Sequence, residues 1–175
     1  MKNTIFTGMA TALVTPMTED GRIDYAAMER LVQRQLDANI DALIVCATTG
    51  EAPTLGDDEH IEIIRFVAQM AKGKAPIIAG TGSNYTDHAV EMSIKARDVG
   101  ADGLLCVTPY YNKCTQRGLF ESFTKIAISH TIPGILTALG YVTIVLSQKR
   151  IAPEIYESDT KYYHLPMEAT YMTEV

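Results

Sequence analysis

Two polar clusters in this sequence have the residue types and the setting for proton chemistry. Thr48-Thr49-Gly50-Glu51 follows the apolar run Ala42-Leu43-Ile44-Val45-Cys46. Thr108-Pro109-Tyr110-Tyr111-Asn112 follows a second run, Gly103-Leu104-Leu105-Cys106-Val107. A hydroxyl accepts and donates a hydrogen bond at once, so threonine and tyrosine can relay a proton. Each cluster falls where a buried parallel strand would end, and in α/β folds the ligand crevice lies at the carboxyl ends of the strands. Two hydroxyl-rich clusters at two such ends point to one site acting on a small polar substrate. The same residue types also favour ordinary strand-to-helix turns, and spacing alone does not separate the two readings.

The elements that would carry these clusters recur along the chain. Strand-like runs lie at Met9 to Val14, Ala42 to Cys46, Pro76 to Ala79 and Gly103 to Val107, and a fifth covers Ile132 to Leu136. Their starts are roughly thirty residues apart, the length of one βα unit. Between them, Tyr25, Met28, Leu31, Val32 and Leu36 fall at helical spacing, as do Ile61, Ile64, Val67, Ala68 and Met70. Asp57-Asp58-Glu59 supplies the acidic opening that a helix N-terminus favours. Thr86 to Val99 and Thr115 to Ser129 read as two further helices. This alternation predicts a parallel sheet with helical crossovers, but it leaves an open sheet and a (β/α)8 barrel unseparated. A barrel needs about 250 residues. The 175 residues here suffice for five such units and part of a sixth.

Composition narrows the function classes. Apolar residues make up 47% and the net charge is −6, without the basic face that nucleic acid requires. Met1-Lys2-Asn3-Thr4 shows no signal-peptide pattern, and the apolar stretch from Gly134 to Leu146 is too short to span a bilayer as a helix. Cys46, Cys106 and Cys114 form no CxxC pair. Cys46 and Cys106 end strand patterns and read as reduced core thiols, which fits a cytoplasmic protein. His60, His88, His130 and His164 lack metal-ligand spacing and read as surface or helix-flank residues, so no metal site is expected. Gly80-Thr81-Gly82-Ser83-Asn84 lacks the third glycine of a dinucleotide loop and reads as a tight turn with a weak option for anions.

From about Thr4 to Leu136 the chain resembles the 4-hydroxy-tetrahydrodipicolinate synthase (dihydrodipicolinate synthase) family. The matching segments, in family order and spacing, are Thr7-Gly8, Ala12-Leu13-Val14-Thr15-Pro16, Thr48-Thr49-Gly50-Glu51, Leu55-Gly56-Asp57-Asp58-Glu59-His60, Pro76 to Gly82, and Val107-Thr108-Pro109-Tyr110-Tyr111-Asn112-Lys113. The resemblance implies a (β/α)8 TIM barrel, incomplete here. It implies a lyase that joins pyruvate to an active-site lysine as a Schiff base, then condenses it with L-aspartate 4-semialdehyde on the route to lysine. No cofactor is implied beyond that covalent imine. Thr48 matches the threonine of the proton relay, Tyr111 the relay tyrosine inserted from a neighbouring subunit, and Thr49 the residue that holds the pyruvate carboxylate. His60, Asn84 and Tyr110 match positions of a lysine-effector site found in some members. Asp57 and His88 depart from that site's pattern, which counts against inhibition by lysine. A homo-oligomer, dimer or tetramer, is implied for the intact enzyme.

After Leu136 the resemblance breaks. The family's catalytic tyrosine position holds Thr137, and no arginine follows until Arg150. Residues 137–175 therefore read as a non-matching or frame-shifted tail, with a brief rematch over 167–175 that opens on Met167-Glu168-Ala169-Thr170. The Schiff-base lysine position is Met167, and a thioether cannot form an imine. Lys161, on the far side of Tyr162-Tyr163, is not expected to replace it. A matching front, a foreign stretch and a rematching end suggest two compensating shifts of reading frame. Two readings follow: a synthase with a garbled tail, whose function belongs to the intact protein, or a catalytically dead barrel fragment that acts only as an assembly module. A nucleotide-binding α/β domain would rest on Gly80 to Gly82 alone.

Overall fold

The computed structural model describes residues 5–129 and the backbone of two further strands, Gly134–Ala138 and Val142–Leu146. One sheet runs through it, with strands in chain order. β1 (Ala10–Ala12), β2 (Ala42–Val45), β3 (Ile77–Gly80), β4 (Gly103–Val107) and β5 (Gly134–Ala138) pair in parallel, each with the next. Helices α1 (Tyr25–Asp37), α2 (Asp57–Ala71), α3 (Thr86–Asp98) and α4 (Gln116–Ser129) link them. The helices pack in the same order, α1 on α2, α2 on α3 and α3 on α4. A doubly wound sheet reverses its strand order at a switch point. No reversal occurs over these strands, so the sheet has the singly wound topology of a (β/α)8 barrel, here incomplete.

Local chemistry accounts for the helices. The Asp24 carboxylate accepts the Ala27 N–H at 2.8 Å and caps α1. Met28 and Val32 carry the buried stripe of α1, and Tyr25 meets Phe66 of α2 edge to face at 5.0 Å. Asp57, Asp58 and Glu59 stand in the first turn of α2, where the helix dipole favours negative charge. The buried face of α2 includes Ile61, Ile64, Val67 and Ala68 as expected, but also Ile63, which is fully buried, while Met70 is only half-buried.

The strands alternate between two apolar faces. Leu43, Val45, Ile77, Ala79, Leu104 and Cys106 turn toward the helices and form the main core. Ala42 and Ile78 turn the other way, with Ala10, Ile44, Leu105, Ile5 and Phe6 packed on them. β1 pairs on one side only, and Met9 and Val14 beside it are exposed at 70% and 52%. This is the raw edge expected of an unclosed barrel.

β6 (Val142–Leu146) departs from the expected repeat. It pairs antiparallel with β5, Gly134 opposite Leu146 and Ala138 opposite Val142. A parallel return needs a crossover of about a dozen residues or more. Three residues, 139–141, separate the two strands, so only a hairpin can form. Gly134–Ala138 and Val142–Leu146 thus form an antiparallel pair, and β6 does not continue the parallel order. Met167, Lys161 and the rematch at 167–175 lie outside the described residues, as do His130 and His164.

Gly80 and Gly82 let the carboxyl ends of the strands close on one another. A Cβ on Gly80 would fall 2.2 Å from the Cys46 carbonyl oxygen, and one on Gly82 would fall 2.4 Å from the Val107 nitrogen. Both obstacles are backbone and cannot swing aside. Gly80→Ala is expected to lower the unfolding free energy by about 3 kcal/mol, read from urea denaturation.

Candidate active site

β2 ends on strained backbone. Among the described non-glycine residues with positive φ, Cys46 (+53°) and Glu51 (+56°) bracket the threonine cluster. Between them Ala47 is extended and Thr48–Gly50 makes one turn of 3-10 helix. Gly50 N–H bonds to Ala47 O at 3.0 Å and Glu51 N–H to Thr48 O at 3.1 Å. The N–H groups of Thr48 and Thr49 come ahead of these bonds, in the place of the first donors of a helical turn. Both threonine side chains are exposed while Gly50 is buried. Tyr111 shares the positive φ, at +67°, and its side chain is 99% exposed. Left-handed backbone at an aromatic residue is costly and concentrates at functional sites.

The carboxyl ends of β2, β3 and β4 open onto one cavity of about 610 Å³. Thr48, His60, Asn84 and Tyr110 all line it, together with Asp57 and His88. Thr49 stands beside it in the same turn, whereas Tyr111 points away into solvent. Thr137 takes its place in β5 opposite Val107, at the same end of the sheet. Asn112 Nδ2 donates to Asn84 O at 2.8 Å and ties the loop after β4 to the loop after β3. No lysine or arginine is among the described lining residues of the cavity. As described it offers hydroxyls, an amide and two imidazoles, but no amine nucleophile.

His60 corrects the expectation of a surface or helix-flank residue. It is buried, and its Nε2 lies 2.8 Å from Gly80 O, which fixes Nε2 as the donor of a neutral ring. Burial pushes its pKa below 6.5, outweighing the Gly80 carbonyl and the Asp57 charge, which act the other way. His88 fits the earlier reading better: it is half-exposed, with Nε2 2.9 Å from Asp57 Oδ1. Sequence reasoning read Asp57 as part of an acidic helix opening, His88 as a surface or helix-flank residue, and both as departures from a family pattern, without pairing them. Their places in the first turns of α2 and α3 set them facing each other, a relation no spacing reveals.

The cysteines at the strand ends are buried, as read from the sequence. Burial pushes the Cys46 thiol up to about 12 and also raises that of Cys106. Neither is an activated nucleophile. Thr81, Ser93 and Cys106 form a buried polar cluster that sequence reasoning missed. Thr81 Oγ1 sits 2.9 Å from Ser93 Oγ, which donates to Ala89 O at 2.6 Å. Among the described residues no group of three or more His, Cys, Asp or Glu is placed to hold a metal ion, and no helix is long and apolar enough to cross a membrane.

Residues 5–154 match the model of the Dihydrodipicolinate synthetase family. The chain belongs to this family. The match extends past Leu136, where the segment-by-segment resemblance stops. The 4-hydroxy-tetrahydrodipicolinate synthase of Caldicellulosiruptor saccharolyticus is 52% identical over 132 residues, 75% of this chain and 45% of that protein. The dihydrodipicolinate synthase structure from Aquifex aeolicus has a TM-score of 0.73 at 48% identity, covering 75% of this chain and 44% of that one. The Acinetobacter baumannii enzyme, solved with pyruvate, has a TM-score of 0.74 at 44% identity, covering 76% and 45%. The chain thus spans less than half the length of the relatives it matches.

The pKa of His60 sets a pH dependence. Its native value lies below the unfolded value of 6.5, so the unfolded state takes up the proton first. Stability is full above that pH and falls as pH drops below it, levelling off beneath the native pKa. The urea midpoint is expected to decline between pH 7 and pH 5.5, and His60→Gln, which keeps a donor for Gly80 O without titrating, should remove most of that decline.

Proposed function

We propose that residues 1–136 are the N-terminal part of a (β/α)8 Schiff-base lyase that condenses pyruvate with L-aspartate 4-semialdehyde to 4-hydroxy-tetrahydrodipicolinate, and that the chain as it stands does not turn over. The observation that carries the reading is the Thr48–Gly50 turn at the carboxyl end of β2, opening with Tyr110 onto one cavity. Family membership and the relatives' names support the substrate class. In this reading a lysine amine attacks the pyruvate ketone and water leaves. The resulting enamine carbon then attacks the aldehyde of the second substrate. Thr48 and Tyr111 pass protons during these steps, and Thr49 binds the pyruvate carboxylate. No cofactor takes part, since the imine itself is the electron sink.

Inactivity of this chain follows from what it lacks. Position 167 holds Met in place of the amine, position 137 holds Thr in place of the relay tyrosine, and no arginine follows in the sequence until Arg150. Hydrogen bonds from Thr48 and Thr49 contribute only about 1 kcal/mol each, too little to hold pyruvate tightly without the covalent link. Residues 137–175 are a non-matching or frame-shifted tail in this account, although the family model matches as far as residue 154. His60, Asn84 and Tyr110 mark an effector site, but with His60 bonded to Gly80 O and Asp57 paired with His88, lysine is not expected to bind. The intact enzyme is a homo-oligomer joined at Tyr110 and Tyr111; the near-complete exposure of Tyr111 supports a partner there. Free thiols at Cys46, Cys106 and Cys114 support a cytoplasmic setting.

Borohydride reduction in the presence of pyruvate, read by intact mass, tests the proposal. The chain as it stands should gain no adduct, and Met167→Lys alone should restore no condensation. Translation in the frame that returns Tyr and Arg after Leu136 and Lys before Glu168 should give a protein trapped at that lysine. An adduct on the present chain, at Lys161 or any other lysine, would contradict the account, as would an untrappable restored protein.

A further inference from the structure

We propose that Thr15 is a positioning residue for the carboxylate-binding turn, an inference that rests on the reading of Thr48 and Thr49 given above. Thr15 is buried just beyond β1, and its Oγ1–H donates to Gly50 O at 2.7 Å. The other hydrogen bonds of the turn are local: Gly50 N–H to Ala47 O, Glu51 N–H to Thr48 O and Ala52 N–H to Ala47 O. Among the described residues, the Thr15 bond is the hydrogen bond that ties positions 48–50 to the segment after β1.

The donor itself is held firmly. Leu13 N–H bonds to Ile44 O at 2.9 Å and Asp24 N–H to Pro16 O at 2.9 Å, one on each side of Thr15. Pro16 further confines the Thr15 backbone to extended conformations. The acceptor is the part that needs holding. The turn is entered from a left-handed Cys46 and left through a left-handed Glu51, conformations that persist only when the surroundings enforce them. Fixing the Gly50 carbonyl toward the interior fixes the plane of the Gly50–Glu51 peptide. That in turn sets the direction in which the Thr48 and Thr49 N–H groups and hydroxyls face the cavity. Loss of the Thr15 hydroxyl leaves a buried carbonyl without its partner and frees the turn to rotate.

The test uses the full chain, labelled for amide NMR. Thr15→Val keeps the side chain's shape and removes the donor, while Thr15→Ser keeps the donor. Exchange of the Gly50 and Glu51 amides should be about tenfold faster in Thr15→Val and near wild type in Thr15→Ser, with the amides of α3 unchanged in all three. Pyruvate at millimolar concentration should shift the Thr48 and Thr49 amides of the wild type. Its apparent Kd should weaken about tenfold in Thr15→Val and recover in Thr15→Ser. Unchanged exchange in Thr15→Val overturns the tie. Faster exchange with an unchanged pyruvate response overturns the positioning role. If pyruvate moves no amide of the wild type, the carboxylate reading fails, and the exchange comparison alone decides whether Thr15 holds the turn. Should Thr15→Val lose the protection of α3, Thr15→Cys, a weaker donor of similar size, takes its place.

Discussion

Everything at the candidate site depends on backbone meeting backbone at the carboxyl ends of β2, β3 and β4. Gly80 lies against the Cys46 carbonyl and Gly82 against Val107, at distances that no side chain could share. This close approach sets the strand ends side by side, so the loops after them share one cavity instead of lining three separate turns. His60 reinforces it from outside the sheet, reaching from α2 to the Gly80 carbonyl. Chain reversal in so little space requires left-handed backbone at Cys46 and Glu51, and the exposed threonines sit on the turn between them. Local strain is thereby tolerated where ligand-facing N–H groups are wanted, with the cost offset by a main core that includes Leu43, Val45, Ile77 and Leu104.

The chemistry available at that cavity is half of a mechanism. Hydroxyls can carry protons and N–H groups can hold a carboxylate, but imine formation needs an amine, and the described lining has none. Two of its titratable groups are not activated for catalysis. Burial keeps His60 neutral and raises the Cys46 thiol. A (β/α)8 barrel builds its site from the ends of several strands, and this chain spans less than half the length of its relatives. Among the described residues β1 pairs on one side only, and Met9 and Val14 beside it are exposed.

Much of this was legible in the sequence, for local reasons. The apolar runs ending at Cys46 and Val107 mark buried strands because parallel strands under helices are apolar throughout. The thirty-residue period told of βα units, and the structure adds the strand order that singles out a barrel. Three features stayed hidden, two of them because they join residues distant in the chain. Thr15 stands in the sequence only as part of a family-matching segment, and only the fold brings its hydroxyl to Gly50. His60 occupies a helical position beside three acids, which reads as surface until α2 is laid on β3. The β5–β6 hairpin violates the period because the link is too short for a crossover, a matter of loop length and not of residue type.

A crystal structure of this chain soaked in pyruvate bears most directly on the central claim, that the turn after β2 is a carboxylate site without its nucleophile. The account predicts a pyruvate carboxylate against the N–H groups of Thr48 and Thr49, with the ketone intact and no density joining it to a lysine. Pyruvate seated away from that turn, or continuous density from its C2 carbon to any lysine of the chain, would contradict it.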